Sequence, residues 1–213
     1  MTSKILLQSV QAYSKLIGTE YNFHIGRAGK LIKFSITILK EDCHHLLGLQ
    51  HLNDRPERRK RITVFDEMIS SEDYRQNIAS STLWTPELET RVLCVKLLGN
   101  IIEDNNTIIH YNPKLNNYSK ITSEYLLTNK NYQLVNNLIS DIYLFVDKRN
   151  TKAGNMFCKS IFTKSVYDYA ARQENWTLLY KEKTSPDGIT TILYQRSNYD
   201  PTICPAPVPP VSF

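Results

Sequence analysis

One change of pattern constrains this chain more than any other. Helical spacing dominates as far as residue 105, and strand-like runs dominate from residue 106 onward. Before the change, Ile5, Leu6, Ser9, Val10, Tyr13, Leu16 and Ile17 share one face of a helix. Residues 57–100 also look helical. Pro86, directly after Thr85, marks a helix start, and Leu88, Val92, Val95 and Leu98 carry an apolar stripe to Gly99. After the change, residues 107–111, 121–127, 138–147, 157–163, 176–182 and 190–195 are β-rich and separated by turn residues. Only 166–173 interrupts them, as an expected short helix. Helices first and a mostly antiparallel sheet afterwards predict an α+β fold in one domain over residues 1–197. Residues 198–213 hold five of the nine prolines and read as an extended tail.

The helical half contains one β-hairpin. Residues 21–25 and 31–39 flank a turn at Gly26-Arg27-Ala28-Gly29, and Ile32, Phe34, Ile36 and Ile38 alternate with more polar positions. Next comes Asp42-Cys43-His44-His45-Leu46-Leu47-Gly48-Leu49-Gln50-His51-Leu52, which holds three of the five histidines. Asp42 is expected to cap a helix that runs to about Asp54, before Pro56. On a continuous helix His45 lies with Leu46, Leu49 and Leu52 on the buried side, and His44 and His51 lie on a neighbouring face. Spacing alone therefore favours a structural His45 and a surface His44. A zinc site from Cys43 and these histidines matches no common ligand spacing.

Directly after this segment, residues 55–61 place five basic side chains in seven: Arg55, Arg58, Arg59, Lys60 and Arg61. Such a cluster suits a phosphate backbone, although a solvated charged face is its ordinary explanation. Arg27 and Lys30 at the hairpin turn would extend it into one basic rim. Residues 157–164, read as a regular strand, put Lys159, Ile161 and Thr163 on one face and Ser160, Phe162 and Lys164 on the other. Either face then offers a hydroxyl beside an ammonium. Lys181, among the tyrosines of residues 167–183, is a further cation able to reach a phosphate.

Composition narrows the classes. The chain is 41% hydrophobic and 10% aromatic, with a net charge of +5, so an anionic partner is favoured only modestly. It has no apolar run long enough to cross a bilayer, and its first residues show no signal-peptide pattern. A cytoplasmic protein with four dispersed, reduced cysteines and no membrane partner is expected. P-loop, dinucleotide-binding, nucleophile-elbow and HExxH motifs are absent.

The order of these blocks resembles a known family. Tyr21-x-Phe23-x-x-Gly26-Arg27, then Asp42-x-x-His45-Leu46-x-Gly48-Leu49, then Lys159-Ser160-Ile161-Phe162 with Tyr169, Gln173 and the run from Leu178 to Lys183 are similar to the fourth phage-associated nuclease family grouped with barnase, EndoU, colicin nucleases and RelE. The resemblance covers roughly residues 20–55 and 155–185. It implies N-terminal helices and a hairpin packed on a mostly antiparallel sheet, in the manner of barnase and RelE. It also implies a metal-independent endoribonuclease without cofactors, serving as a toxin or conflict effector of phages and mobile elements. Carried over residue by residue, it points to His45 as acid or base, His44 as the first guess for a second proton-transfer group and Lys181 or Arg27 as a phosphate clamp. Arg27, Ser160, Thr163, Tyr169 and Gln173 then complete the pocket, and the basic run, read from its charge, offers Arg55, Arg58 and Arg59 to hold RNA.

The chemistry so implied is attack of a 2′-hydroxyl on the adjacent phosphorus. Two other readings stay open: a non-catalytic regulator that binds RNA or a nucleotide, and a nucleotidyl- or ADP-ribosyl-type transferase. If the chain is toxic, its charge predicts an acidic antitoxin or immunity protein.

Overall fold

The computed structural model describes residues 2–54, 60–134, 138–149 and 154–203. Arg55, Arg58 and Arg59 of the basic run and residues 204–213 of the tail lie outside the described residues. The helices are α1 (Thr2–Ser14), α2 (Cys43–Leu46), α3 (Arg61–Ser70), α4 (Glu72–Ala79), α5 (Pro86–Lys96) and α6 (Leu98–Glu103). The strands are β1 (Glu20–Arg27), β2 (Lys30–Thr37), β3 (Thr107–His110), β4 (Tyr125–Gln133), β5 (Ile139–Lys148), β6 (Asn155–Thr163), β7 (Glu174–Thr184) and β8 (Thr190–Gln195). The expected α+β order holds. No described helix is long and apolar enough to cross a membrane.

The sheet runs β1-β2-β6-β5-β4-β3-β7-β8, and β7 also pairs with β1, so the pairings from β1 round to β7 form a closed circuit. All are antiparallel except β2 with β6. The β2–β6 link is short, Ser35 with Asn155 and Ile36 with Met156, so the circuit closes at one end of these strands only. The β1–β2 turn is made by Ala28 and Gly29, both at positive φ, as a tight right-twisted hairpin requires.

Helix α1 buries Leu6, Ser9, Val10 and Tyr13, the face its spacing predicts. Ser9 Oγ donates to the Val92 carbonyl at 2.9 Å, which seats α1 on α5 without an unpaired hydroxyl. A main core joins these helices to β1, β2, β5 and β6, and includes Phe23, Phe34, Ile36, Leu46, Leu47, Val92 and Ile161. A second, aromatic cluster of Tyr111, Leu126, Tyr143 and Phe145 packs Phe162 and Tyr169 against the opposite side of the sheet.

Two expected helices are corrected. Residues 166–173 form turns rather than a helix. Asp168 there accepts from Tyr143 Oη at 2.8 Å, Lys164 Nζ at 2.9 Å and the Ala170 amide at 3.0 Å, and Arg172 adopts a positive φ. Local side-chain acceptors and the anchored Tyr169 ring outcompete helical bonds. The helix expected over 42–54 is a single turn, α2. It breaks at Gly48 (φ 77°) and resumes as a 3₁₀ turn over Leu49–His51.

Candidate functional site

Gly48 is the pivot of the site. Its left-handed conformation suits glycine, and a Cβ there would lie 2.7 Å from Leu88 Cδ1 and 3.2 Å from Arg91 Nε. The missing side chain lets α5 close on the break between α2 and the 3₁₀ turn. The break also changes where the histidines point: His45 and His51, placed on different faces by a continuous helix, line one cleft of about 510 Å³. His44 is not among the residues lining that cleft, and its ring meets His45 nearly edge-on, centroids 5.6 Å apart.

Asp42 does not cap α2. Its buried carboxylate pairs with Arg149, just beyond β5, and ties the start of α2 to the sheet. The far end of α2 is held by Arg91 from α5. Arg91 Nε donates to the Leu46 carbonyl at 2.8 Å, and Nη2 donates to the His45 carbonyl at 3.1 Å and to Ser160 Oγ at 2.8 Å. A guanidinium suits this task, since its planar fork serves several acceptors at once and helix C-termini attract cations. Burial lowers its pKa to about 10, which still leaves it charged at neutral pH.

The floor of the cleft is β6. Regular alternation would separate Lys159 from Ser160, but the pairing with β5 shifts register there: Val146 faces Cys158 and Phe145 faces Ser160, leaving Lys159 as the extra residue. This bulge reverses the alternation. Phe157, Lys159, Ser160 and Phe162 consequently all line the cleft, while Cys158 and Ile161 point into the core. Lys159 Nζ is steadied by Asp147 at 2.6 Å. Arg61 at the start of α3, with Lys120 and Thr122 from the loop before β4, completes the walls. Among the described lining residues none is acidic.

The cations act on the histidines. Burial, then Arg61, Arg91 and His51, lower the His45 pKa below its ordinary 6.5, and a hydrogen bond with Gln50 works the other way. Burial and Arg91 lower His51 as well. Both rings are therefore mainly neutral at pH 7, and a neutral ring can accept a proton. Cys43 and Cys158 are fully buried, with thiol pKa values pushed up by that burial, so they are not poised as nucleophiles.

The other expected site residues divide. Thr163 and Tyr169 line a hollow adjoining the cleft. Lys181 does not reach the cleft. It is fully buried under α6, donating to the Ile102 carbonyl at 2.8 Å and the Asn106 Oδ1 at 3.2 Å, with Glu103 and Asp104 carbonyls completing its shell. Arg27 pairs with Glu174 and lines a separate pocket with Lys30, so the hairpin turn does not extend a rim around the histidines. Gln173 exchanges hydrogen bonds with the Asn112 backbone, away from the cleft.

Sequence reasoning missed His51 and Lys120 as site residues and, above all, Arg91. Its signal is present: three residues after Leu88 and one before Val92, it is an arginine inside an apolar helical stripe. An unbroken helix places His51 on a different face from His45, so spacing alone gives no sign that the two share a cleft. A family model described as phage-Barnase-EndoU-ColicinE5/D-RelE like nuclease 4 matches residues 5–198. No curated protein and no solved structure matches the chain.

Proposed function

The chain belongs to the phage-Barnase-EndoU-ColicinE5/D-RelE like nuclease 4 family, and from that premise we propose that it is a metal-independent endoribonuclease acting by 2′-hydroxyl transesterification. The observation that carries this reading is the cleft itself. Two histidines, the Ser160 hydroxyl and the cations Arg61, Arg91, Lys120 and Lys159 surround one space with no acidic residue among the described lining. That set suits a phosphodiester, whose charge the cations attract and whose chemistry needs a base and an acid.

In the proposed reaction neutral His45 takes the 2′-hydroxyl proton, and the oxygen attacks the neighbouring phosphorus. The bond to the 5′-oxygen breaks, and that oxygen takes a proton from His51. The products are a 2′,3′-cyclic phosphate and a 5′-hydroxyl. His51 must enter this step charged, and the bound phosphate supplies the negative charge that raises its pKa in the complex. Arg91, Lys159 and Lys120 offset the charge that builds on the phosphorane. Ser160, oriented by Arg91, donates to a non-bridging oxygen.

Purified protein incubated with RNA in EDTA is expected to leave 2′,3′-cyclic ends, and His45→Ala is expected to abolish them. Absence of cleavage by the wild type, with RNA still bound, would favour a non-catalytic regulator and overturn the reading. The role of a toxin in phage conflict is proposed on the family's phage association. An acidic immunity protein covering the same cations would follow from it, and co-expression rescue tests that.

A further inference from the structure

We propose that the cleft is half of a two-lobed groove, which seats a dinucleotide step of single-stranded RNA with its phosphate at His51 and Arg91 and one base in the second lobe. This deepens the ribonuclease reading and rests on it for the placement of the phosphate.

His51, Arg91 and Phe162 line the cleft on one side and, on the other, a second hollow of about 370 Å³. The two spaces therefore adjoin at these three residues. Their chemistry differs. The first lobe is cationic. The second is lined by Tyr169, Thr163, Ser165, Thr85 and Glu87, and Glu87 is a negative charge that the first lobe lacks among its described lining. A second phosphate gains little there. A planar base gains an aromatic surface, and hydroxyls that can donate to or accept from its edge.

Tyr169 borders this lobe. Its ring lies 5.5 Å from Tyr143, 5.4 Å from Phe145 and 5.4 Å from Phe162, all at steep angles, so its orientation is set before any ligand arrives. Pre-set aromatic rings bind bases with little ordering penalty. The size of the lobe matches the lower end of ligand pockets, enough for one nucleoside. A base seated alone in the second lobe also favours a single strand, because paired bases in a duplex stay stacked along its axis and do not leave it singly.

The test reads binding, not cleavage. Affinities would be measured for an abasic 2′-O-methylribose 3′-methyl phosphate, for a 2′-O-methyl dinucleoside monophosphate, and for that dinucleotide with either base removed. The intact dinucleotide is expected to bind on the order of 10- to 100-fold tighter than the methyl phosphate, the worth of one stacked base. Removing one particular base should abolish the advantage, as should Tyr169→Leu, with methyl phosphate binding unchanged. Should Tyr169→Leu not fold, the aromatic NMR signals of Tyr169 and Phe162 in the wild type decide: the dinucleotide should shift them and the methyl phosphate should leave Tyr169 in place. Equal affinity for the two ligands, an unmoved Tyr169 signal, or equally tight binding of a duplex overturns the groove. These probes lack a free 2′-hydroxyl, so failure to cleave RNA would sink the catalytic reading alone, and cleavage without any second-base preference would sink the groove alone.

Discussion

Arg91 Nη2 donates to Ser160 Oγ at 2.8 Å, joining the helix that supports the histidines to the strand that floors the cleft. The same nitrogen and its neighbour Nε hold the last carbonyls of α2. Stability and site geometry thus depend on one side chain.

Replacing Arg91 by lysine keeps a charge but loses the fork. One ammonium cannot satisfy the Leu46 carbonyl, the His45 carbonyl and Ser160 together. Arg91→Lys is expected to lower unfolding stability by about 1–3 kcal/mol, the usual effect of stranding a buried polar group. RNA cleavage should fall further than that stability change explains. Urea titration beside cleavage assays at a temperature where the variant is folded checks this; unchanged cleavage would contradict it.

Gly48→Ala tests the pivot. The left-handed backbone disfavours a Cβ by about 1–2 kcal/mol, and the approach of Leu88 Cδ1 at 2.7 Å adds a clash. The variant should be destabilised by at least that much and should lose cleavage as His45 and His51 separate. Full stability in a thermal melt would show that the break is not needed.

The three histidines should behave differently. His45→Ala and His51→Ala should each lower kcat by roughly 10²–10⁴-fold, the typical contribution of a general acid or base. His44→Ala should stay within a few-fold, because His44 does not line the cleft. A large loss for His44 with none for His51 would reverse the assignment.

Acidity gives an independent check. Burial and neighbouring cations hold both His45 and His51 below 6.5 in the free protein, and kcat/KM reports the free protein. Its maximum is therefore expected below pH 6.5, falling on the acid side as the base protonates and on the alkaline side as the acid is lost. Arg61→Gln removes one of the charges lowering His45, so the profile should move upward. A maximum above pH 7 in the wild type would be inconsistent with this pair.

Lys181→Met should separate fold from chemistry. The substitution leaves the Ile102, Glu103 and Asp104 carbonyls without their shared donor, so stability should drop by about 1–3 kcal/mol or more. Cleavage by the remaining folded protein should persist. Burial holds the Lys181 pKa at about 8, below the 10.5 of an exposed lysine. Between those values the unfolded chain binds more protons, so this group makes stability rise with pH from about 8 to 10.5. Stability that falls across this window more steeply in the wild type than in Lys181→Met would refute that sign.

Much of the architecture was legible because it is written locally. The α1 face, the β1–β2 hairpin, the Thr85-Pro86 helix start and the later strands follow from periodicity and turn residues. Two features of the site were not. The register shift at Lys159 depends on what β5 presents opposite it, and no residue of β6 announces it. The break at Gly48 has a local sign, a glycine, but its meaning lies in Leu88 and Arg91 packed against it. Lys181 misled for the opposite reason: an ammonium in a strand looks solvent-facing until the end of α6 is laid over it.

The register shift in β6 has a consequence for how the molecule comes into being. His45 is synthesised well before Lys159 and Ser160, which emerge only after β5 has been made to receive them. A ribosome-bound fragment ending before β6 carries the histidines and Arg91 but no floor beneath them. The assembled cleft is thus withheld until β6 has left the ribosome, a delay written into chain order.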